Sequence, residues 1–120
     1  MEQIKILVVD DEARMRKLVK DFLMIKGFQV AEAADGEEAL DIFFRQKDIG
    51  LVLLDVMMPK MDGWEVLKII RRHSKVPIIM LTARSEERDE LQGFERRFFQ
   101  TLFAGNTAKK IYRLYEYKSS

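Results

Sequence analysis

Ile49 to Gly63 reads I-G-L-V-L-L-D-V-M-M-P-K-M-D-G. Leu51-Val52-Leu53-Leu54 is a short apolar run that suits a strand buried on both faces. Asp55 follows it directly. Pro59 and Asp62-Gly63 then supply turn chemistry, and an amphipathic stretch follows. A carboxylate at the carboxyl end of a buried parallel strand stands where open α/β sheets keep their ligand sites. The rest of the chain is expected to surround Asp55.

Working outward, Ile4 to Val9 is a second apolar run, and it too ends in carboxylates, Asp10-Asp11. Residues 12–26 read as a helix: Met15, Leu18, Val19, Phe22 and Leu23 recur at i, i+3, i+4, i+7 and i+8. Asp10 or Asp11 can cap its start and Gly27 ends it. Phe28 to Ala33 reads as a short strand. Asp35-Gly36 turns the chain into a helix at 37–46, with Ala39, Leu40, Phe43 and Phe44 inward. After the Ile49–Leu54 strand, Trp64, Leu67, Ile70 and Arg71 mark a helix at about 63–73. Val76 to Thr82 is the fourth strand, with Pro77 near its start, where a missing N–H is tolerated. Strand and helix alternate with short connections, which argues a parallel α/β sheet with right-handed crossovers.

The chain has 120 residues, enough for one domain with a real core, and is 48% hydrophobic and 34% charged. Lys+Arg 21 against Asp+Glu 20 leaves +1, so no global field points to nucleic acid or membrane. Cysteine is absent, which excludes disulfides, thiolate metal sites and cysteine nucleophiles. The longest apolar runs fall far below the roughly 18 residues of a membrane span. A cytoplasmic location is expected from the lack of an export or insertion signal.

Three strands thus end in polar groups, Asp10-Asp11, Asp55 and Thr82, and in a parallel sheet those ends share one edge. Crowded carboxylates repel, and a hard divalent cation relieves the repulsion. Mg²⁺ suits such a site because it takes oxygen ligands and keeps waters for a phosphate. A carboxylate also serves as a nucleophile toward phosphorus, giving an aspartyl phosphate. The expected chemistry is metal-assisted phosphoryl transfer onto a side chain. Singly, each residue has a plainer reading. An Asp after a strand is often a cap or turn former, and Thr82 alone suits a helix cap or a strand. His73 sits at a helix end, where its charge suits the dipole. Met57, Met58 and Met61 suit packing better than soft-metal binding.

These residues resemble a response-regulator receiver domain of two-component signalling, from Ile4 to about Phe94. The likeness rests on I-L-V-V-D-D-E, A-D-G-E-E-A-L, L-V-L-L-D-V-M-M-P-K-M-D-G and V-P-I-I-M-L-T-A. It implies a flavodoxin-like doubly wound sheet of order 2-1-3-4-5. It implies that Asp55 accepts a phosphoryl group from a phosphohistidine on a sensor histidine kinase. It further implies that Asp11, Asp55 and the Met57 carbonyl hold Mg²⁺, with Asp10 helping through water. Thr82 would bond the phosphoryl group and the Ala83 N–H would support it. Such a module is not an enzyme toward other molecules; it catalyses only its own phosphorylation and dephosphorylation. An output domain is expected outside this stretch.

The resemblance stops at about residue 95, so residues 1–95 are taken as the receiver-like unit and 96–120 as a tail foreign to the family. The family pattern continues with G-A-D-D-[FY], a strand ending in Lys-Pro-Phe and a last helix. Here the chain reads R-R-F-F-Q-T-L-F-A-G-N-T-A-K-K-I-Y-R-L-Y-E-Y-K-S-S, and its two prolines are Pro59 and Pro77. Read from the second base of each codon, Arg96 through Ala108 can encode A-D-F-F-K-P-F-S-P-E-I-L, the absent family segment. A small coding deletion near Glu95-Arg96 is therefore expected, with an out-of-frame tail behind it. No lysine matches the family's phosphoryl-contacting lysine, since Lys109 and Lys110 lie in unrelated sequence. The last strand and helix would then be missing or replaced, the switch impaired, and the exposed fourth strand open to dimerisation or domain swapping. The helix begun near Ser85 is free to run to about Phe103. Ala108 to Tyr117 suits either a helix or a replacement strand, with helix preferred.

Two other classes compete. One is a non-signalling folding or engineered variant that self-associates through the sheet edge. The other is a phosphatase of similar topology, which needs a second Asp where Met57 stands. The basic, aromatic tail carries no nucleic-acid motif.

Overall fold

The computed structural model describes residues 4–56, 58 and 60–81. Strands and helices alternate: β1 (Lys5–Val9), α1 (Ala13–Ile25), β2 (Gln29–Ala33), α2 (Gly36–Arg45), β3 (Ile49–Asp55), α3 (Gly63–His73) and β4 (Ile78–Leu81). All strand pairs are parallel, in the order β2-β1-β3-β4. These are the first four places of the expected 2-1-3-4-5 order, and the architecture is a flavodoxin-like α/β sheet.

The doubly wound character follows from strand alternation. Leu7 and Val9 of β1, Val52 and Leu54 of β3, and Ile78 and Met80 of β4 bury on one face, against Ala39 of α2 and Val66, Leu67 and Ile70 of α3. Ile6 and Val8, Leu51 and Leu53, and Ile79 bury on the other, against Val19 and Leu23 of α1. The register keeps like with like: Leu7 pairs with Val52, which pairs with Ile78, while Val8 pairs with Leu53, which pairs with Ile79. At the start of β3 the register jumps, Lys5 opposite Ile49 but Ile6 opposite Leu51. Gly50 is the extra residue, a small bulge where a side chain is not needed.

Local chemistry sets the helix ends. Gly27, at φ +96°, closes α1. Its N–H donates to the Met24 carbonyl and the Phe28 N–H to the Leu23 carbonyl, both at 3.0 Å, while Phe28 packs into the Leu23 cluster. This is the Schellman arrangement that a left-handed glycine permits. Asp35 caps α2 by accepting from the Glu38 N–H at 2.8 Å. Asp62 and Glu65 form a reciprocal capping box on α3. The link into β4 is clasped from α3: Arg71 Nη1 donates to the Val76 carbonyl at 2.6 Å, and the Val76 N–H donates to Ser74 Oγ at 3.1 Å. Pro77, lacking a donor, still joins the ladder by accepting from the Val52 N–H at 3.0 Å.

Several expectations are corrected. Neither Asp10 nor Asp11 caps α1; Glu12 holds that position without a side-chain cap bond. Leu18 and Phe44 were expected inward, yet each is 38% exposed. The buried line of α1 runs through Val19 and Leu23, with Met15 and Phe22 flanking it, so Leu18 is rotated off the sheet. On α2, Ile42 and Phe43 take the flanking contacts, and Phe44 instead meets Phe43 and His73 edge-on, with ring centroids 5.3 Å apart in each pair. The fourth strand begins at Ile78 rather than Val76. The expectations for Ser85–Phe103, Ala108–Tyr117 and the last strand and helix lie outside the described residues.

Candidate functional site

β1 and β3 run side by side, with Val9 opposite Leu54. The residues next in chain order, Asp10 and Asp55, therefore emerge together at the carboxyl edge of the sheet. Asp10, Asp11 and Asp55 each present a carboxylate oxygen, and these atoms all lie within 4.8 Å of one another. The three residues grade from nearly enclosed Asp10, 7% exposed, through half-buried Asp55 to exposed Asp11.

Asp10 is fixed at every polar atom of its backbone and at its carboxylate. Its N–H donates to the Ala33 carbonyl at 3.1 Å, tying it to the end of β2. Its Oδ1 accepts from the Glu12 N–H at 2.9 Å. Its carbonyl accepts from Arg16 Nη1 at 2.7 Å. Burial pushes its carboxyl above the ordinary carboxylate range, and the neighbouring charges of Asp11 and Glu12 add to that; the Glu12 N–H and the Arg16 charge oppose it.

Asp55 is framed from the far side by α3. A β-carbon built on Gly63 would overlap the Asp55 carbonyl oxygen and come within 2.9 Å of Val56 Cα. The Gly63 N–H donates to the Val56 carbonyl at 3.0 Å. Between them the loop turns through Lys60, whose φ of 68° is the left-handed value among the described non-glycine residues. Met58 is buried and Met61 packs on the same cluster, so both serve the core as expected. Met57, Thr82 and Ala83 lie outside the described residues; Leu81, the register partner of Asp55, is the last described position.

Sequence reasoning named the three carboxylates and missed their supports. Arg16 joins the Asp10 carbonyl to Glu32 of β2, and Gly63 was read only as a turn residue. The D-x-x-E spacing of Asp62 and Glu65 was a legible sign of a helix start beside Asp55. The donor set is all hard oxygen, clustered and partly withdrawn from water. Such a group fits a divalent cation of the Mg²⁺ kind.

Residues 6–113 match the family model of the response regulator receiver domain. The chain belongs to that family. This receiver domain is 53% identical over 95 residues to a probable transcriptional regulator, ycf27, of Porphyridium aerugineum, covering 79% of this chain and 39% of that protein. It thus spans about two fifths of the length of the curated relatives it matches. Among solved structures it resembles the response regulator TrrA of Thermotoga maritima in complex with Mg²⁺-BeF: 41% identity, TM-score 0.64, covering 77% of this chain and 80% of that one. It also resembles TrrA in its complex with the histidine kinase ThkA, at 42% identity and TM-score 0.65, covering 77% of this chain and 79% of that one. Among the described residues of the receiver domain, no helix is long and apolar enough to cross a membrane.

Proposed function

We propose that this receiver domain takes a phosphoryl group onto Asp55 from a phosphohistidine of a sensor histidine kinase. The convergence of three carboxylates, one oxygen from each within 4.8 Å of the others, carries the reading. The likeness to TrrA, solved both with Mg²⁺-BeF and with the histidine kinase ThkA, supports it. In the transfer, a carboxylate oxygen of Asp55 forms a bond to phosphorus while the phosphorus–nitrogen bond breaks and its electron pair returns to the imidazole.

Asp11, Asp55 and the Met57 carbonyl would hold Mg²⁺, with Asp10 assisting through water. Bound there, the cation supplies neutralising charge for the transferring phosphoryl oxygens. Asp10 adds a third carboxylate to the edge that favours a cation, and the Glu12 N–H holds that carboxylate in place. Thr82 and the Ala83 N–H are assigned as donors to the phosphoryl group. The domain catalyses only its own phosphorylation and dephosphorylation, and a cytoplasmic location goes with that relay. Output switching is inferred to be impaired, because no lysine of the tail matches the family's phosphoryl-contacting lysine.

Intact-mass measurement after incubation with acetyl phosphate tests the reading, with and without Mg²⁺. One phosphoryl group is expected on the parent, dependent on Mg²⁺, and none on Asp55→Ala. Equal labelling of Asp55→Ala, or none on the parent, would overturn it.

A further inference from the structure

We propose that Arg16 is a positioning residue for the acidic edge, holding the Asp10-Asp11 turn in its cation-binding geometry through the main chain. This rests on the reading of Asp10, Asp11 and Asp55 as a Mg²⁺ site.

The guanidinium of Arg16 reaches from α1 to the ends of two strands at once. Nη1 donates to the carbonyl of Asp10, just beyond β1, at 2.7 Å. Nε donates to Glu32 Oε1, near the end of β2, at 3.1 Å. Glu32 is itself held by Lys20 Nζ at 3.0 Å, one helical turn further along α1. The Arg16 side chain is mostly buried, so this is not a loose surface contact. Together with the Asp10 N–H bond to Ala33, these contacts fix both main-chain polar groups of Asp10. Such support is needed because the three carboxylates repel one another, and without a restraint the turn that carries two of them would relax outward. Arg16 binds the carbonyl and leaves the Asp10 carboxylate facing its neighbours. A planar fork with several donors can serve two acceptors in fixed directions; an ammonium is a point charge without that geometry.

Arg16 exerts two effects on a cation, and they have opposite signs. As a nearby positive charge it repels Mg²⁺, so its removal would tighten binding. As a brace for the turn it favours binding, so its removal would weaken it. The inference is that bracing wins.

The test is a Mg²⁺ titration of the full chain, followed by the amide resonance of Asp11, for the parent, Arg16→Met and Arg16→Lys. The parent should show a saturable shift. Arg16→Met, which keeps the apolar stem, should bind Mg²⁺ about tenfold more weakly while folded, the lower end of the usual cost of losing an outer partner of a metal site. Arg16→Lys, which keeps the charge and loses the fork, should also bind more weakly than the parent. Unchanged or tighter Mg²⁺ binding by folded Arg16→Met, with normal binding by the parent, overturns the role of Arg16 alone. A lowered melting temperature with parental Mg²⁺ affinity does the same, since it marks a purely structural residue. Should Arg16→Met fail to fold, Arg16→Lys decides, and parental affinity there overturns the proposal. Absence of any Mg²⁺ shift in the parent sinks the metal reading of the edge, and this inference with it.

Discussion

Gly63 and Asp55 are in such close contact that there is no room for a β-carbon on Gly63 beside the Asp55 carbonyl. The glycine is needed here for its missing side chain, since it stands in the first turn of α3 in ordinary helical backbone. Ala in place of Gly in a helix would otherwise gain up to about 1 kcal/mol. Overpacking against main chain typically costs about 1–3 kcal/mol. Gly63→Ala should therefore destabilise the domain by about 1–2 kcal/mol in urea unfolding, and slow labelling of Asp55 by acetyl phosphate. A gain in stability would show that α3 can shift freely against β3.

Asp10→Asn should stabilise the metal-free domain at neutral pH. The carboxyl of Asp10 is raised above 3.8 by burial, helped by Asp11 and Glu12. A raised folded-state value means that Asp10 contributes favourably while protonated, and that this contribution is lost as pH climbs through the folded-state value. The amide keeps an oxygen for the Glu12 N–H and removes the charge. Thermal unfolding should show the variant above the parent at pH 7 without Mg²⁺, the gap closing toward and below pH 3.8, the ordinary value. Added Mg²⁺ should raise the parent's melting temperature more than the variant's.

Glu32 should show the opposite dependence. Its carboxyl is held below 4.5 first by the Lys20 hydrogen bond, with Arg16 adding to it and burial opposing. A lowered folded-state value gives stability that is present above 4.5 and lost as pH falls through the folded-state value. Glu32→Gln should cost about 1 kcal/mol or less at pH 7, since the pairs are partly exposed and screened. The difference from the parent should shrink in high salt and vanish in acid. A pH-independent difference would point to packing instead.

Asp62→Ala removes the side chain that accepts from the Glu65 N–H at 3.0 Å and frees the reciprocal Glu65 bond. Loss of such a cap costs about 0.5–2 kcal/mol. Because α3 begins beside Asp55, hydrogen exchange should quicken first at the N-terminal turn of α3, with α1 unaffected.

Much of this architecture was legible because buried parallel strands write themselves as apolar runs, and Asp10, Asp11 and Asp55 stood at their ends. Helix faces were less so. Periodicity gave the direction of the α1 stripe and not its width, so Leu18 was assigned inward although it sits one step around from Val19. The role of Asp10 as a cap was a fair reading of an Asp before a helix, yet its carboxylate bonds the Glu12 N–H ahead of the helix proper. Arg16 and Glu32 were invisible: the sequence is rich in charge, and nothing along it says which arginine meets which glutamate across α1 and β2. Gly63 carried two meanings, turn and close approach, that one letter cannot separate.

The clasp ahead of β4 has a consequence for how the acidic edge is assembled. Arg71 and Ser74 hold Val76, and the Pro77 carbonyl makes the first bond to β3, just ahead of Ile78. Leu81 is thus delivered opposite Asp55 by anchors that leave the ribosome ahead of it. The placement of the fourth strand up to Leu81 is therefore prepared by residues that precede it in the chain, Arg71 and Ser74 among them.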